Sequence, residues 1–197
     1  SLLSVINKLL EKTLHKQLFN FIQKNKILNP NQYGYQPKKS TTTALMEITE
    51  YIKNRFESLG LTPKGTDGFY QSFSFKPKTH PHEEVKFTEN SDGTITGRNV
   101  VGFIDNKAKN TVIIGAHFDH LGYGGDGSLY RDSIKAIHNG ADDNASGVAL
   151  LLNLASKLKN TNTSNNYVFI AFSGEEMGLL GSNYFVKNPT FDIKEVS

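Results

Sequence analysis

Thr111-Val-Ile-Ile-Gly-Ala-His117 is an apolar run rich in β-branched residues, and it ends on an imidazole. Such a run predicts a central strand that is buried on both faces, with His117 at its carboxyl end. Side chains two residues apart share a face of a strand, so Asp119 is expected beside His117 if the strand extends that far. An Asp in this place would accept the second imidazole N–H and fix the tautomer of the ring.

A predicted helix follows this strand along the chain. From Asn144 to Leu158, apolar residues recur at steps of three and four, which is helical spacing. Asp142 and Asp143 therefore fall at the start of the helix. Carboxylates in that position gain from exposed backbone N–H groups, and a short acidic side chain there can bridge two cations.

A second buried strand is predicted for Tyr167-Val-Phe-Ile-Ala-Phe-Ser173, and Glu175 and Glu176 come directly after it. Adjacent side chains on extended backbone point in opposite directions, so one Glu can bind a metal while its neighbour faces a substrate water. Each acidic segment alone has a structural explanation, as a strand end, a helix cap or a solvated turn. Their common placement at strand and helix ends instead predicts a metal site at the carboxyl edge of an α/β sheet.

Three motifs carry a resemblance to a known family. They are Gly115-Ala-His-Phe-Asp-His-Leu-Gly122, the run from Ala136 to Gly147, and Phe172-Ser-Gly-Glu-Glu-Met-Gly-Leu-Leu-Gly-Ser182. Through them, residues from about 54 to 197 resemble the amino-terminal two-thirds of a dizinc aminopeptidase of the bacterial leucyl aminopeptidase and glutamate carboxypeptidase type. The resemblance implies an α/β domain with a mostly parallel central sheet flanked by helices, truncated at its carboxyl side.

The resemblance also implies a role for each site residue. His117 would ligate one zinc ion, Asp143 would bridge two zinc ions, and Glu176 would ligate the other. Glu175 would act as the general base, and Asp119 would hold His117. The implied activity is hydrolysis of N-terminal residues from a peptide substrate. The family uses two further ligands, an Asp and a His, which have no counterpart here, so we expect an incomplete site and weak or absent activity.

Two other functions are compatible with the same motifs. The chain could be a non-catalytic chimeric fragment whose motifs are inherited but idle, which zinc stoichiometry and a peptidase assay would reveal. It could also be a single-zinc acyltransferase similar to glutaminyl cyclase, which pyroglutamate formation would reveal. Of the neighbouring imidazoles, His120 is a candidate for lining the pocket, and His138 is expected to be structural.

Residues 1–52 resemble a different family. Ser1-Leu-Leu-Ser-Val-Ile-Asn-Lys8, Asn29-Pro-Asn-Gln-Tyr-Gly-Tyr35 and Ser40-Thr-Thr-Thr-Ala-Leu45 are similar to non-long-terminal-repeat reverse transcriptases, whose aromatic-x-Asp-Asp motif is absent from the sequence. Apolar spacing predicts an amphipathic first helix, followed by a second helix from about Thr43. The stripe of the first helix comprises Leu2, Ile6, Leu9, Leu10, Leu14 and Leu18. We therefore expect a helical appendage at 1–52 fused to a partial zinc aminopeptidase domain at 54–197.

Composition and charge limit the partners of the chain. Residues 1–52 carry seven Lys against three Glu, within an overall net charge of +3. The solubility of a helix explains this excess as well as nucleic-acid binding does, so nucleic acid is not expected as a partner. The absence of cysteine excludes disulfides and thiolate metal sites. No apolar stretch approaches the roughly 20 residues that cross a bilayer, so no membrane span is expected. The resembling peptidases are commonly exported, but no signal peptide opens this sequence.

Overall fold

The computed structural model describes residues 16–18, 20–21, 24–25, 41–77, 85–123, 128, 136–161 and 164–193. The chain forms two compact units, residues 1–44 and residues 45–197. In the first unit, Leu18 and Phe21 are exposed. The remaining positions of the apolar stripe predicted for the first helix lie outside the described residues.

The second unit is an α/β domain. Its helices are α1 (Thr41–Ser58, which begins in the first unit), α2 (Ser146–Lys159) and α3 (Leu180–Lys187). Its strands are β1 (Thr62–Pro63), β2 (Tyr70–Phe75), β3 (Phe87–Thr88), β4 (Ile95–Ile104), β5 (Asn110–His117) and β6 (Asn165–Phe172). Among the described residues these strands form one sheet in the order β3-β2-β4-β6-β5, with β1 beside β4.

The strand, helix and strand predicted around the acidic motifs are confirmed as β5, α2 and β6. β5 and β6 pair in parallel, with Asn110 opposite Asn165 and His117 opposite Phe172. A parallel pair needs a long crossover connection, which here contains α2. A central strand was predicted here, but β5 is not central, because in the described part of the chain it pairs with β6 alone. Its apolar residues from 112 to 114 are accordingly only half-buried.

The sheet is mixed, and the expectation of a mostly parallel sheet is wrong. Within the described residues only β5 and β6 are parallel, whereas β1, β2 and β6 all pair antiparallel with β4, and β3 pairs antiparallel with β2. The physical reason lies in the chain connections: the described residues between β2 and β4 contain no crossover helix, and neighbouring strands joined without one run in opposite directions.

Helices cover both faces of the sheet, as expected. Phe169 and Ala171 on β6 pack in one core cluster with Ile52 and Phe56 of α1 and Leu151 of α2. The intervening residues of β6, Val168 and Ile170, pack with Phe185 of α3 on the opposite face. This alternation follows from the two-residue period of a strand. No helix in the described part of the chain is long and apolar enough to cross a bilayer.

The first core cluster includes residues near the junction expected at 52–54. Ile52 and Phe56 are fully buried, and the second compact unit begins already at Leu45. Helix α1 runs without a break through the expected junction. Residues 45–52, which are expected in the appendage, therefore lie in the second compact unit. The boundary of the peptidase-like domain at 52–54 stays a prediction.

A hydrogen bond between α1 and β2 gives a pH-dependent prediction. The Tyr70 hydroxyl donates to Glu50 Oε2 at 2.5 Å. Burial, followed by this hydrogen bond, raises the pKa of Tyr70 to about 12, and the same bond lowers the pKa of Glu50. A raised Tyr pKa contributes stability that is present below its ordinary value near 10 and is lost as pH rises through about 12. The lowered Glu50 pKa contributes stability above its ordinary value that is lost as pH falls.

We therefore expect Tyr70→Phe to make the free energy of unfolding depend less on pH in both the acidic and the alkaline range. The substitution removes the titrating hydroxyl and the strongest of the hydrogen bonds that lower the pKa of Glu50. Urea unfolding measured across the acidic and alkaline ranges checks this. Tyr51→Phe is the control, because Tyr51 is an exposed tyrosine on α1, the helix that carries Glu50. Identical pH slopes for Tyr70→Phe and the unsubstituted chain would contradict the prediction.

Candidate active site

The carboxyl ends of β5 and β6 lie side by side and place two of the predicted site segments together. His117 ends β5 opposite Phe172, which ends β6. Phe118 N then donates to Phe172 O at 3.1 Å, so the two chains remain adjacent as they leave the sheet. Glu175 and Glu176 follow in the loop after β6, at the same edge as His117.

His117 faces the predicted acidic residues with its Nε2 atom. This atom lies 3.0 Å from Asp143 Oδ1 and 3.9 Å from Glu175 Oε2. The imidazole is largely buried, with 14% of its side chain exposed, whereas the Asp143 side chain is 77% exposed. On the other side of the ring, His117 Nδ1 lies 3.2 Å from the backbone oxygen of Asp119. The imidazole is therefore held from behind by the main chain and presents Nε2 to two carboxylates.

Asp119 does not make the contact predicted for its side chain. Its Oδ1 lies 3.8 Å from His117 Nδ1, beyond hydrogen-bond distance. The physical reason is that β5 ends at His117, so Asp119 is outside the regular strand in which alternate side chains share a face. Its two carboxylate oxygens instead accept the backbone N–H groups of Glu175 and Glu176, each at 3.1 Å. Asp119 thus holds the loop of the two Glu residues directly.

Asp143 reaches His117 because the chain is not helical at that point. Gly140 has a left-handed backbone with φ of 65°, and Asp143 departs from helical values with φ of −115° and ψ of 88°. The peptide bond from Asp143 to Asn144 is cis. The Asn144 side chain, rather than either Asp, accepts the N–H of Gly147 in the first turn of α2, at 3.0 Å. The two Asp residues were expected to start the helix, and the capping role of Asn144 was not predicted from the sequence.

Glu176 lies in the electrostatic field of the same cluster. Burial raises the pKa of its carboxyl group, and the neighbouring carboxylates of Asp143, Glu175 and Asp119 raise it further. The cluster therefore gathers negative charge around a single imidazole, His117. A cation placed among these groups would offset their mutual repulsion.

The other two imidazoles near the site have local partners. His120 Nδ1 accepts the backbone N–H of Gly122 at 3.0 Å, and its side chain is exposed. His138 Nε2 lies 2.6 Å from Ser128 Oγ, and His138 N donates to Gly122 O at 2.7 Å. These contacts agree with a structural role for His138. The lining role of His120 stays a prediction.

The cluster fits zinc in the kind of donors that it offers. Zinc sites in proteins use imidazole nitrogen, carboxylate oxygen or thiolate, and this chain has the first two and no cysteine. In number the donors fall short, because no group of three or more His, Asp or Glu in the described residues is arranged to hold a metal ion. His117 Nε2 and Asp143 Oδ1 contact each other directly at 3.0 Å.

Comparison with known proteins assigns the chain to a family. Residues 99–197, which contain the site segments described above, match the model of peptidase family M28. The chain belongs to peptidase family M28. Membership confirms the aminopeptidase-like resemblance of the second unit at the level of the family and supports a hydrolase of the metallopeptidase class. The reverse transcriptase resemblance of residues 1–52 stays a prediction.

Two relatives show how much of a longer protein this M28 chain covers. It is 31% identical to the alkaline phosphatase isozyme conversion protein of Escherichia coli over 74% of this chain and 40% of that protein. It is 38% identical to a probable leucine aminopeptidase of Trichophyton verrucosum over 50% of this chain and 26% of that protein. The M28 chain therefore spans less than half the length of either relative.

A solved structure shows the same fold. The glutaminyl cyclase of Bacteroides thetaiotaomicron bound to N-acetylhistamine superposes with a TM-score of 0.59 at 20% identity, over 84% of this chain and 56% of that chain. At this identity the likeness concerns the fold. The chemistry of the M28 chain must therefore be argued from its own site residues.

Proposed function

We propose that this M28 chain carries a zinc-dependent aminopeptidase site built from His117, Asp143, Glu175 and Glu176. The observation that carries the proposal is the position of His117 Nε2, which faces Asp143 Oδ1 at 3.0 Å and Glu175 Oε2 at 3.9 Å. Membership of family M28 and the name of the fungal relative support the same reaction class. The substrate would be a peptide, cleaved after its N-terminal residue.

Each side chain has a distinct part in this proposal. His117 would hold one zinc ion, Asp143 would bridge two ions, and Glu176 would hold the second. Zinc supplies Lewis-acid polarisation of the scissile carbonyl and of the attacking water. Burial, followed by the neighbouring carboxylates, raises the pKa of Glu176, and a partly buried group of carboxylates is an environment that favours bound cations.

Glu175 would transfer the proton. Its carboxylate stands at the edge of the cluster, and its backbone N–H is fixed by Asp119 Oδ1 at 3.1 Å. A carboxylate in that position can take the proton of the attacking water and pass it to the leaving amine. Because Glu175 and Glu176 are adjacent and both amides are held by Asp119, the base and the metal ligand would keep a fixed spacing.

The number of donors predicts weak turnover. In this proposal the described residues give each zinc ion two protein ligands, whereas a catalytic zinc commonly has three. We therefore expect loose zinc binding and slow hydrolysis by the 197-residue chain. An idle, non-catalytic site is the competing outcome.

A glutaminyl cyclase activity is the second candidate. The cyclase of Bacteroides thetaiotaomicron has the same fold, with a TM-score of 0.59 at 20% identity, so the fold is compatible with this activity. Similar ligands would then hold a single zinc ion and promote cyclisation of an N-terminal glutamine. The fungal aminopeptidase relative, at 38% identity, weighs in favour of hydrolysis.

Zinc titration and a paired substrate assay test the proposal. We expect the chain to bind zinc, to release amino acid from aminoacyl amides, and to lose this activity when a chelator removes the metal. His117→Ala should weaken zinc binding by about a hundredfold or more, since even groups that only support a ligand change affinity by 10–100-fold. The matched control is His120→Ala, which removes an exposed imidazole bonded to a backbone N–H and should leave zinc binding unchanged.

The outcomes separate the candidate functions. Pyroglutamate formation from a glutaminyl peptide without aminoacyl-amide hydrolysis would favour the cyclase. Equal zinc affinity in His117→Ala and the unsubstituted chain would rule out the site described here. Zinc binding without aminoacyl-amide hydrolysis or pyroglutamate formation would favour a non-catalytic chain.

A further inference from the structure

A buried pair of carboxamides lies behind the loop that carries Glu175 and Glu176. Gln71 on β2 and Asn99 on β4 are direct partners in the antiparallel register, and both residues are 0% exposed. Asn99 Nδ2 donates to Gln71 Oε1 at 3.0 Å. Buried amides are tolerated only when their donors and acceptors are paired, so the further partners of this pair are informative.

Those partners lie at the two ends of the Glu loop. Ser173 N donates to Asn99 Oδ1 at 3.1 Å, just before the loop. Asn99 Nδ2 also donates to Gly181 O at 2.9 Å, in the first turn of α3 just after the loop. Gln71 Nε2 donates to Asn188 O at 2.7 Å, at the far end of α3. One side chain, Asn99, therefore joins the entry and the exit of the loop.

The base of the loop is packed closely around Asn99. Gly181 N donates to Ser173 O at 2.9 Å, which closes the loop through the backbone. A Cβ atom added to Gly181 would lie 2.3 Å from Asn99 Oδ1 and 2.5 Å from Ser173 O. Only glycine fits at this position, because the space that a side chain would need is filled by the Asn99 carboxamide.

Asp119 holds the same loop through a geometrically demanding contact. Its carboxylate accepts the N–H groups of two consecutive residues, Glu175 and Glu176, each at 3.1 Å. Both N–H bonds must point toward the carboxylate at once, so a small rotation of the loop breaks at least one of them. The orientation of the loop at its base therefore controls whether Asp119 can bind it.

We infer that Asn99 is a positioning residue for the Glu175–Glu176 loop. By fixing Ser173 and Gly181, it sets the loop in the orientation in which Asp119 binds both Glu amides. The catalytic consequence of this inference rests on the proposed function. The local stability of the hydrogen bonds at the Glu175 and Glu176 amides does not depend on that function, and it can be measured without substrate or metal.

Amide hydrogen exchange on the full chain tests the inference. We expect Asn99→Ala to speed exchange at the Glu175 and Glu176 amides by about tenfold more than the change in global stability alone would cause. The reason is that loss of the contacts of Asn99 with Ser173 and Gly181 opens the loop locally. Zinc alone is the second probe, and its binding should weaken in the same variant. If the substitution changed only global stability, neither the local exchange of the Glu175 and Glu176 amides nor the zinc affinity of the folded chain would change.

Asn166→Ala is the matched control. Asn166 is a second buried Asn, 8% exposed, on the opposite end of β6. Its Oδ1 accepts the N–H of Asn106 at 2.9 Å, and its Nδ2 donates to Ala108 O at 2.9 Å. This variant also loses a bonded, buried carboxamide, but it should leave local exchange at the Glu175 and Glu176 amides unchanged.

Equal local exchange of the two Glu amides in Asn99→Ala and Asn166→Ala would overturn the inference. If Asn99→Ala does not fold, Asn99→Leu serves in its place, because it keeps a side chain of similar size in the buried position but removes the bonds to Ser173 N and Gly181 O. Faster exchange of the Glu amides in Asn99→Leu then supports the positioning role, and unchanged exchange overturns it. If the unsubstituted chain binds no zinc, the proposed function fails while the exchange result still decides the role of Asn99.

Discussion

Glu175→Gln is expected to lower zinc-dependent hydrolysis by about a hundredfold or more while zinc affinity stays nearly unchanged, because general-base catalysis contributes typically 10²–10⁴-fold. The amide keeps the size of the carboxylate but cannot accept the proton of the attacking water. The backbone N–H that binds Asp119 is not altered by the substitution. Rates on an aminoacyl amide and zinc titrations of the same preparation provide the two measurements.

The adjacent residue supplies the control for this experiment. Glu176→Gln is the same chemical change one residue later, in a loop whose two amides are held by the same carboxylate. In the proposed site Glu176 is a metal ligand, so its substitution should weaken zinc binding and hydrolysis together. If Glu175→Gln retained full hydrolysis, or lost zinc as strongly as Glu176→Gln, the assignment of Glu175 as the base would be wrong.

The parallel unit and the meeting of its acidic ends were predictable from the sequence. Apolar runs ending at His117 and Ser173, with a helical spacing between them, define a strand, a helix and a strand in order. Two parallel strands joined by a crossover must bring their carboxyl ends to the same edge of a sheet. The approach of His117 to Asp143 and Glu175 follows from this local arrangement.

The antiparallel half of the sheet was not predictable in the same way. β3 has two residues and β2 has six, so neither gives a long periodic signal. β4 carries Arg98 and Asn99 beside its apolar residues, and the buried environment of Asn99 is created by Gln71, which is far away in the sequence. Long-range pairing of two amides leaves no local pattern. A polar Asn directly before the apolar pair Val100 and Val101 was the available clue.

The partner of Asp119 also depended on information that a motif does not contain. The spacing of His117 and Asp119 placed their side chains together only if the strand continued. β5 ends at His117, and the loop after β6 then offers two N–H donors to the Asp119 carboxylate. A change of one or two residues in the end of a strand thus exchanges one hydrogen-bonded partner for another.

Phe56→Ala is expected to destabilise the second unit by about 3–5 kcal/mol, the usual cost of removing a buried aromatic side chain. Phe56 is 0% exposed, and its ring centroid lies 6.5 Å from that of Phe69 and 6.4 Å from that of Phe169. A Cβ atom added to Gly102 on β4 would lie 2.9 Å from Phe56 Cδ2, so the strand leaves room for this ring. Urea unfolding of the full chain measures the loss.

The same experiment tests whether one face of α1 packs against the sheet. Tyr51→Ala on the same helix removes an aromatic side chain that is 52% exposed and should change the free energy of unfolding by about 0.5 kcal/mol or less. A large loss for Phe56→Ala and a small one for Tyr51→Ala would show that one face of α1 is part of the sheet core. Deletion of residues 1–42, which leaves this buried face intact, should then change the melting of the second unit little. Equal, small losses for both substitutions would instead separate α1 from the core of the sheet.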